Sequence, residues 1–224
     1  MSVWAVIVAA GRGERLGLDR PKAFAKLGGR PLLAESLERL DSSEWIDAIV
    51  VVAPPDWEEP VILLAEELGC TKVSAAVAGG ESRAASVRAG LAEVPEEAAV
   101  VLVHDAARPL LPEDVIERLL KTLPEGWDGV IPGVPIADTV KRVDRDQVVE
   151  TLDRDGLVVA QTPQAFVWPA LRDAARAQEN GTDCASLVEA RGGRIKVVPG
   201  DRRLVKITDR SDLELVEGWL TPAE

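Results

Sequence analysis

The sequence predicts an α/β fold built on a mostly parallel twisted sheet, with helices on both faces and a projecting antiparallel β-arm. In the first half of the chain, short apolar runs alternate with helical patterns, as they do in parallel sheets. In the second half, short strand-like segments separated by turns break that rhythm. With 224 residues, of which 46% are hydrophobic and 29% charged, the chain can bury a full core, and we expect one domain over residues 1–224.

The first half is predicted to contain four pairs of strand and helix. The strands are the continuous apolar runs at residues 3–10, 48–53, 72–78 and 98–103. The helices, which follow an amphipathic spacing, are predicted at residues 32–40, 57–68, 83–94 and 113–123. Because strands of this kind are buried on both faces, they favour a parallel sheet between two layers of helices.

The second half is predicted to begin with an antiparallel excursion. Short strand candidates lie at residues 129–136, 139–143, 148–152 and 157–160, separated by turns that contain Asp, Arg and Gly. We interpret the part at about 133–157 as an arm that projects from the α/β unit. The α/β pattern then resumes, with helices predicted at 169–178, 183–190 and 209–220 and a strand at 194–198.

Charge and the length of the apolar runs disfavour several classes of function. The formal net charge of −12 argues against nucleic-acid binding, whereas a local cluster of Lys and Arg could still bind a phosphorylated small molecule. The apolar runs reach about eight residues, against the roughly 20 that span a bilayer. Cys70 and Cys184 provide neither a disulfide framework nor metal-ligand spacing. We therefore expect a cytoplasmic protein.

A glycine-rich, cationic loop follows the first predicted strand. Glycines directly after a buried strand, here Gly11 and Gly13, allow a tight turn in which backbone N–H groups point at an anion. The cations of this loop are Arg12, Arg15, Arg20 and Lys22. A phosphate-binding loop and a solvated loop with incidental charge explain these residues about equally well.

Two familiar phosphate-binding motifs do not match this loop. The dinucleotide-binding fingerprint requires G-x-G-x-x-G and an acidic residue at the end of the second strand. Here the third glycine, Gly17, is one position late, and the second strand ends in Ala53-Pro54-Pro55. The G-K-[ST] of a Walker A motif does not follow either. If the loop binds phosphates, it does so with another geometry.

The stretch HDAARP, at residues 104–109, follows the fourth predicted strand. Ligands of open α/β sheets bind outside the carboxyl ends of the strands. At that edge the Asp105 carboxylate could ligate Mg²⁺, and Arg108 could bind a phosphate with two hydrogen bonds. Alternatively, Asp105 caps the turn and pairs with Arg108. We interpret His104, the one histidine of the sequence, as a hydrogen-bonded structural residue.

The stretch GGESRAASV, at residues 79–87, forms a glycine turn that opens a predicted helix. Free N–H groups at a helix N-terminus can bind anions or the polar edges of bases. In isolation, a plain N-cap at Ser82 is the simpler explanation. Four further polar stretches are unremarkable on their own: residues 154–157, 161–164, 182–183 and 206–208.

Taken in order, these stretches resemble the 2-C-methyl-D-erythritol 4-phosphate cytidylyltransferase family of the non-mevalonate isoprenoid pathway. The matching stretches are AAGRGERLG…RPKAF, GGESRAASVRAGL, HDAARP, DTVKR, RDGL, QTPQAF, TDCAS and KIT. The resemblance implies a Rossmann-like fold, a homodimer joined through the β-arm, and Mg²⁺ or another divalent cation as cofactor. The implied reaction joins CTP to methylerythritol phosphate and gives the CDP-alcohol and pyrophosphate.

The resemblance also implies roles for residues at the matching positions. Arg15 and Lys22 would stabilise the transition state at the CTP phosphates, and Lys206 and Arg154 would act beside them, Arg154 from the arm of the other subunit. Nucleotide contacts are implied for Ala9, Ala10, Gly11, Gly13, Gly79, Gly80, Glu81, Arg83, Ser86 and Asp105. The acceptor would lie against Asp105, Arg108, Thr139, Arg154, Thr182 and Lys206, and Asp105 would also hold the metal.

Such a reaction suits a chain with a single histidine. The acceptor phosphate is already an anionic nucleophile, so positioning and charge neutralisation are needed rather than a general base. The sequence departs from the family pattern at three positions: Ala23, Ala85 and Leu204 stand where members often carry Gln, Asp and Asn. These departures lie near the stretches implied in base and acceptor recognition.

Three alternatives to this function stay open. The acceptor could be another polyol phosphate, such as ribitol 5-phosphate, or the enzyme could be a pyrophosphorylase that uses UTP, GTP or ATP. The chain could also be a non-catalytic nucleotide-binding regulator with the same fold. Arg15, Lys22, Asp105 and Lys206 argue against a regulator, because simple binding does not require cations around the bond being made.

Overall fold

The computed structural model of the chain describes residues 2–11, 13–17, 20–177 and 181–220. Arg12, one of the four cations of the predicted phosphate loop, lies outside the described residues. The described helices are α1 (Leu32–Ser42), α2 (Glu58–Glu67), α3 (Arg83–Ala92), α4 (Glu113–Thr122), α5 (Trp168–Ala177), α6 (Cys184–Glu189) and α7 (Arg210–Leu220). Short 3₁₀ turns lie at Glu14–Leu16, Lys22–Phe24 and Leu123–Glu125.

The strands form one large sheet and two small ones. They are β1 (Val3–Val8), β2 (Lys26–Leu27), β3 (Arg30–Pro31), β4 (Ala48–Ala53), β5 (Val73–Ala78), β6 (Val100–Asp105), β7 (Gly129–Pro135), β8 (Val140–Asp144), β9 (Gln147–Leu152), β10 (Val158–Ala160), β11 (Gln164–Val167) and β12 (Ile195–Pro199). The large sheet has the order β10–β7–β11–β6–β1–β4–β5, with β12 alongside β7. Strands β6, β1, β4 and β5 are parallel neighbours, whereas β10 and β11 pair antiparallel with theirs. The predicted α/β fold class is confirmed.

Alternate residues of the central strand β1 face two layers of helices. Ala5 and Ile7 belong to a buried cluster that includes residues of α1, α2 and α4. Val6, which points the other way, belongs to a second cluster with residues of α3, α5 and α6. The strand is buried on both faces, which is why its sequence is a continuous apolar run rather than an alternating one.

A third buried cluster joins the C-terminal helix α7 to the hairpin of β2 and β3. Its members are Leu27, Leu32, Leu110, Ile207 and Val216. The cluster lies beside the loop that follows β1, since Leu16 of that loop packs against it.

The structure adds elements that the apolar pattern does not predict. Strand β11 is only four residues long, and it is a strand because its backbone pairs with both β6 and β7. Strands β2 and β3 have two residues each, which is too short for a recognisable sequence pattern. Strand β6 extends two residues beyond the predicted end, because His104 and Asp105 pair with Ile7 and Val8 of β1.

Strands β8 and β9 form a separate antiparallel hairpin, within the range predicted for the arm. Its side chains are almost all exposed, and those of Val143, Val148 and Val149 are more than half exposed. In the described part of the chain, no helix combines the length and apolar character needed to cross a membrane.

Candidate active site

The carboxyl ends of β1 and β6 border a pocket of about 420 Å³. Val8 and Asp105, the last residues of these parallel strands, are register partners, so the segments that follow them start at the same edge of the sheet. The predicted site residues that line the pocket are Ala9, Ala10, Gly11, Lys22, Gly80, Glu81, Arg83, Ser86, Asp105 and Lys206. The fold thus brings four distant stretches of sequence together at one place.

The loop after β1 contains two short 3₁₀ turns, one with Arg15 and one that begins at Lys22. Gly13, directly before the first turn, has a φ of +70°, and a Cβ at this position would lie 2.7 Å from the Cβ of Lys22. Only glycine tolerates both the backbone angle and this approach. Lys22 lines the pocket. Arg15 and Arg20 are exposed, and neither is among the described residues that line it.

Burial and neighbouring cations lower the pKa of Lys22 to about 8. Burial is the largest cause, followed by the positive charges of Lys206 and Arg15, while Asp105 and Asp212 act in the opposite direction. An anion in the pocket would favour the charged form of Lys22, so the same environment that weakens its hold on a proton favours binding of a phosphate.

The carboxylate of Asp105 is nearly buried and lies between two cations. Its Oδ1 accepts hydrogen bonds from Nε and Nη2 of Arg83, at 3.1 and 2.9 Å, and its Oδ2 accepts one from Nζ of Lys206 at 2.7 Å. Burial alone would raise the pKa of Asp105, but Arg83 and Lys206 together hold it well below its usual range. Asp105 is therefore ionised and faces the pocket.

Arg108 is not the partner of the Asp105 carboxylate. Its Nη1 donates to the carbonyl oxygen of Leu204 at 2.6 Å, and its Nη2 donates to that of Ala160 at 3.4 Å. The hydrogen bond between these two residues is a backbone one, in which the N–H of Arg108 donates to the carbonyl oxygen of Asp105 at 2.9 Å. The structural alternative raised from sequence, a pair of Asp105 with Arg108, is therefore wrong in this structure. Arg108 instead connects the segment before Lys206 to the end of β10.

His104 is completely buried behind the pocket edge. Its ring nitrogens lie 3.1 Å from the carbonyl oxygen of Arg108 and 3.3 Å from Oγ1 of Thr162, which in turn accepts the N–H of Asp105 at 3.0 Å. Burial lowers the pKa of His104 to about 4, so the ring is neutral at physiological pH. This arrangement agrees with the structural role predicted for the residue.

The glycine turn before α3 packs closely on the loop after β1. A Cβ at Gly79 would lie 2.2 Å from the Cβ of Ala10, so only glycine fits at this contact. The N–H of Gly80 donates to Oγ of Ser86 at 3.1 Å, and Ser82 is the N-cap of α3, accepting the N–H of Ala85 at 3.1 Å. The N-terminus of α3 is thereby directed at the pocket.

Four predicted acceptor residues are not among the described residues that line this pocket: Arg108, Thr139, Arg154 and Thr182. Thr139, Arg154 and Thr182 are exposed, and the guanidinium of Arg154 donates to the carbonyl oxygen of Ala137 within the same arm. A single chain thus brings the predicted nucleotide residues together, but it does not bring the arm residues to them.

Several pocket residues were not singled out by sequence reasoning. Ala106 and Ala107 line the pocket directly after Asp105, and the stretch HDAARP contains them without marking them by any polar group. Ala23, noted only as a departure from the family pattern, also lines it. Apolar lining residues carry no chemical signal in a sequence, so only the fold identifies them.

The donor set at the pocket fits a divalent cation that arrives with a phosphate. Asp105 and Glu81 are the carboxylates among the described lining residues. Within the described part of the chain, no group of three or more His, Cys, Asp or Glu is placed to enclose a metal ion. Mg²⁺ typically takes one or two protein carboxylates and completes its shell with substrate phosphates and water, and this site offers such a set.

Fold and site together define an α/β enzyme of the nucleotidyltransferase class, with cations gathered around one carboxylate beside a nucleotide-sized pocket. The sequence profile of the 2-C-methyl-D-erythritol 4-phosphate cytidylyltransferase family matches residues 3–222, and the chain belongs to this family.

Relatives and solved structures of that family cover almost the whole chain. The cytidylyltransferase from Frankia casuarinae is 45% identical over 220 residues, which are 97% of this chain and 81% of the relative. That from Rubrobacter xylanophilus is 41% identical and covers 98% of this chain and 95% of its own. Among solved structures, the enzyme from Thermus thermophilus is 30% identical with a TM-score of 0.79, and the synthase from Anaerococcus prevotii is 29% identical with a TM-score of 0.84. Each covers 98% of both chains.

Proposed function

We propose that the chain transfers the cytidylyl group of CTP to 2-C-methyl-D-erythritol 4-phosphate, giving 4-diphosphocytidyl-2-C-methyl-D-erythritol and pyrophosphate. A phosphate oxygen of the acceptor attacks the α-phosphorus of CTP, and the bond from that phosphorus to the pyrophosphate oxygen breaks. The observation that carries the proposal is the cluster of Lys22, Arg83 and Lys206 around Asp105, in a member of this family.

Charge neutralisation is the main task of the protein in this reaction. Two anionic phosphates must approach each other, and fixed cations in a partly desolvated pocket offset their repulsion. We assign this task to Lys22 and Lys206, which line the pocket, and to Arg15, whose charge acts on Lys22. No proton needs to be removed from the acceptor phosphate, so the neutral, buried His104 has no part in the chemistry.

Nucleotide selection is assigned to the turn before α3. The close contact of Gly79 with Ala10 and the hydrogen bonds between Gly80 and Ser86 hold backbone groups at a fixed distance across the pocket. Preorganised backbone N–H and C=O groups can recognise the polar edge of a base without long side chains. We propose that the cytosine and ribose lie against this turn and against residues 9–11.

A divalent cation, Mg²⁺ in our proposal, would be held by Asp105 together with the CTP phosphates. When bound, it supplies positive charge to the triphosphate and to the departing pyrophosphate. Asp105 is suited to this because it is ionised, and because its Oδ2, which accepts one hydrogen bond from Lys206, retains a lone pair, whereas Oδ1 accepts two hydrogen bonds from Arg83.

We further propose that the chain forms one nucleotidyltransferase domain and works as a homodimer joined through the arm at about 133–157. In the dimer, Arg154 and Thr139 would reach the active site of the partner subunit, where Arg108 and Thr182 would lie near the acceptor. The exposure of the arm and of Thr139, Arg154 and Thr182 supports this assignment. A cytoplasmic location is favoured by the free thiols of Cys70 and Cys184.

The test of the proposed function is pyrophosphate release from CTP with Mg²⁺ present. Methylerythritol phosphate and ribitol 5-phosphate are compared as acceptors, and UTP, GTP and ATP are compared with CTP. We expect turnover only with CTP, and a kcat/KM for methylerythritol phosphate at least about a hundredfold above that for ribitol 5-phosphate, because a site shaped for the methyl group would bury the extra hydroxyl of ribitol without a hydrogen-bond partner.

Each other outcome identifies an alternative. Preference for ribitol 5-phosphate would make the chain a cytidylyltransferase for another polyol, and preference for another triphosphate would make it a different pyrophosphorylase. Binding of CTP, measured by calorimetry, without turnover on any acceptor would indicate a nucleotide-binding regulator.

A further inference from the structure

Lys206 lies in a segment between β12 and α7 that has no regular secondary structure. Its neighbours Leu204 and Ile207 are completely buried, and the N–H of Ile207 donates to the carbonyl oxygen of Ala107 at 2.8 Å. A lysine side chain has many rotamers, so the position of its ammonium group depends on how firmly the surrounding backbone is held.

Asp212, in the first turn of α7, holds the C-terminal end of this segment. Its Oδ2 accepts the N–H of Thr208 at 2.7 Å, the hydroxyl of Thr208, and the N–H of Asp209 at 3.2 Å. Oδ1 of Asp209 accepts the N–H of Asp212 at 3.1 Å in return. Thr208 is only two residues after Lys206, so the carboxylate of Asp212 anchors the backbone next to the lysine.

The same helix packs against the chain that carries Arg15 and Lys22. Val216 of α7 shares a buried cluster with Leu27, which lies five residues after Lys22, and Leu16, next to Arg15, packs on that cluster. Helix α7 therefore contacts the segment that follows Lys206 and the chain near Arg15 and Lys22. A rigid helix in this position can fix the distance between groups that are far apart in sequence.

The electrostatic interactions of the carboxylates at the start of α7 agree with its position beside the cationic centre. Asp212 is one of two carboxylates whose fields act on Lys22, the other being Asp105 inside the pocket. Asp209, at the same helix start, is acted on by the charge of Arg15. The start of α7 thus lies close enough to the cationic centre to interact with it electrostatically from outside the pocket.

We propose that Asp212 is a positioning residue for the nucleotidyl transfer, holding the Lys206 segment against α7 and, through α7, in register with the turn that carries Arg15 and Lys22. This proposal rests on the proposed function, because it assigns Lys206 and Lys22 to the same reaction. It differs from a simple helix cap, which would stabilise α7 without affecting the position of Lys206.

The experiment compares Asp212→Ala with Asp212→Asn, which keeps an acceptor oxygen, and with Asp209→Ala. The Asp209 variant is the matched control, because it removes the return bond of the cap but leaves the bonds from Asp212 to Thr208. We measure kcat, KM for CTP and the thermal midpoint, together with amide hydrogen exchange at Ile207. The acceptor of that amide is Ala107, so its exchange reports on the segment rather than on the deleted bond.

For Asp212→Ala we expect kcat to fall at least about tenfold, KM for CTP to change less than about threefold, and exchange at Ile207 to quicken about tenfold or more. Asp212→Asn should recover most of both effects. Asp209→Ala should lower the thermal midpoint while kcat and Ile207 exchange stay within about threefold of the unsubstituted chain. The proposal would be overturned if kcat fell equally in the Asp212→Ala and Asp209→Ala variants. It would also be overturned if amide exchange at Ile207 were unchanged in Asp212→Ala.

Two further measurements cover the cases in which Asp212→Ala does not fold or the unsubstituted chain is inactive. If Asp212→Ala does not fold, Thr208→Val removes only the hydroxyl contact, and a smaller fall in kcat with faster Ile207 exchange is then expected. If the unsubstituted chain releases no pyrophosphate with any acceptor, the proposed function has failed. The exchange measurements then still decide whether Asp212 holds the Lys206 segment.

Discussion

The cations around the pocket differ in how far they are exposed to solvent. Lys22 is half-buried and lines the pocket, whereas Arg15 is exposed beside it. A charge that is partly removed from water acts more strongly on a nearby phosphate, because the effective dielectric constant around it is lower. We therefore expect Lys22 to contribute more than Arg15 to stabilisation of the transition state.

Replacement of Lys22 by alanine is expected to lower turnover by about 10²-fold or more, with the fold intact. The lost cation acts mainly where charge builds up between the two phosphates, so kcat should fall more than the affinity for CTP. Pyrophosphate release and the thermal midpoint are the measurements. Lys26→Ala is the control, since Lys26 is an exposed lysine of β2 outside the described pocket lining. Near-normal turnover of Lys22→Ala would remove Lys22 from the mechanism.

The pKa of Lys22 predicts the alkaline limb of the pH profile. Its pKa is lowered to about 8 by burial and by Lys206 and Arg15, against the opposing fields of Asp105 and Asp212. Lys22 is charged below this pH and neutral above it, so the active form is lost as pH rises. We expect kcat/KM for CTP, which reports on the free enzyme, to fall about tenfold per pH unit above pH ~8.

The variant Lys22→Arg tests the assignment of this limb. An arginine at this position stays protonated throughout the range, so the break near pH 8 should disappear even if the absolute rate is lower. A break that persists unchanged in Lys22→Arg would show that another group titrates there. Neutral His104 gives no reason to expect a break between about pH 5 and 8.

At the scale of elements, long periodic segments are readable from sequence and short ones are not. The continuous apolar runs at β1 and β4 and the amphipathic pattern of α4 mark their elements within about two residues. Strand β11 is a strand only because β6 and β7 flank it, which is a tertiary cause and leaves no local pattern.

The same distinction applies to the site. Glycines after a strand and an aspartate at the end of another indicate where a ligand binds, because sheet topology places these ends together. The cations that pair with Asp105 cannot be identified in this way. Arg83 and Lys206 lie 22 and 101 residues away from it in the sequence, and many other cations lie at similar separations. Family resemblance led to these residues, whereas their pairing with one carboxylate required the structure.

Helix α3 depends on a glycine for its contact with the sheet. A Cβ at Gly90 would lie 2.5 Å from a side-chain carbon of Val6 and 2.6 Å from one of Val52. Alanine favours a helix over glycine by about 1 kcal/mol, but the overlap with two rigid valines outweighs that gain. We expect Gly90→Ala to lower the free energy of unfolding by about 1–3 kcal/mol, measured by denaturant titration.

Gly218 in α7 is the matched control for Gly90. A Cβ at Gly218 would meet no atom within 4 Å, so Gly218→Ala should stabilise the protein by about 0.5–1 kcal/mol through helix propensity alone. Helix α3 also carries Arg83 and Ser86, so Gly90→Ala should raise the KM for CTP while Gly218→Ala leaves it unchanged. Stabilisation by both substitutions would mean that α3 can move away from the sheet at little cost.

At the scale of the whole molecule, the hairpin of β8 and β9 in the arm forms a sheet of its own, apart from the large sheet. A two-stranded hairpin on its own is marginally stable, and this one exposes Val143, Val148 and Val149 by 58%, 53% and 54%. Apolar side chains on both faces of a projecting hairpin favour cover by another protein surface. In the proposed homodimer, a second copy of the same arm would supply that cover.

The substitution Val148→Asp is expected to convert the dimer to a monomer and to lower turnover strongly. A carboxylate buried in an apolar interface is costly, whereas the same group on a free surface is not. Light scattering after gel filtration gives the mass, and Leu63→Asp, at a leucine that is 56% exposed on α2, is the control. An unchanged mass for Val148→Asp, or dissociation by Leu63→Asp as well, would exclude the arm as the specific interface.

Complementation between subunits tests whether the arm completes the partner's site. If Lys22 of one subunit and Arg154 of the other serve the same reaction centre, Lys22→Ala and Arg154→Ala homodimers are each deficient in both of their sites. Subunit exchange creates mixed dimers in which one site has both residues intact, so an equimolar mixture should regain about a quarter of the unsubstituted activity, by the two-fold symmetry of a dimer. If Arg154 served its own subunit, both sites of a mixed dimer would lack one of the two residues and the mixture would stay inactive. Recovered activity, measured as pyrophosphate release over the time of exchange, would therefore assign Arg154 to the partner subunit's site.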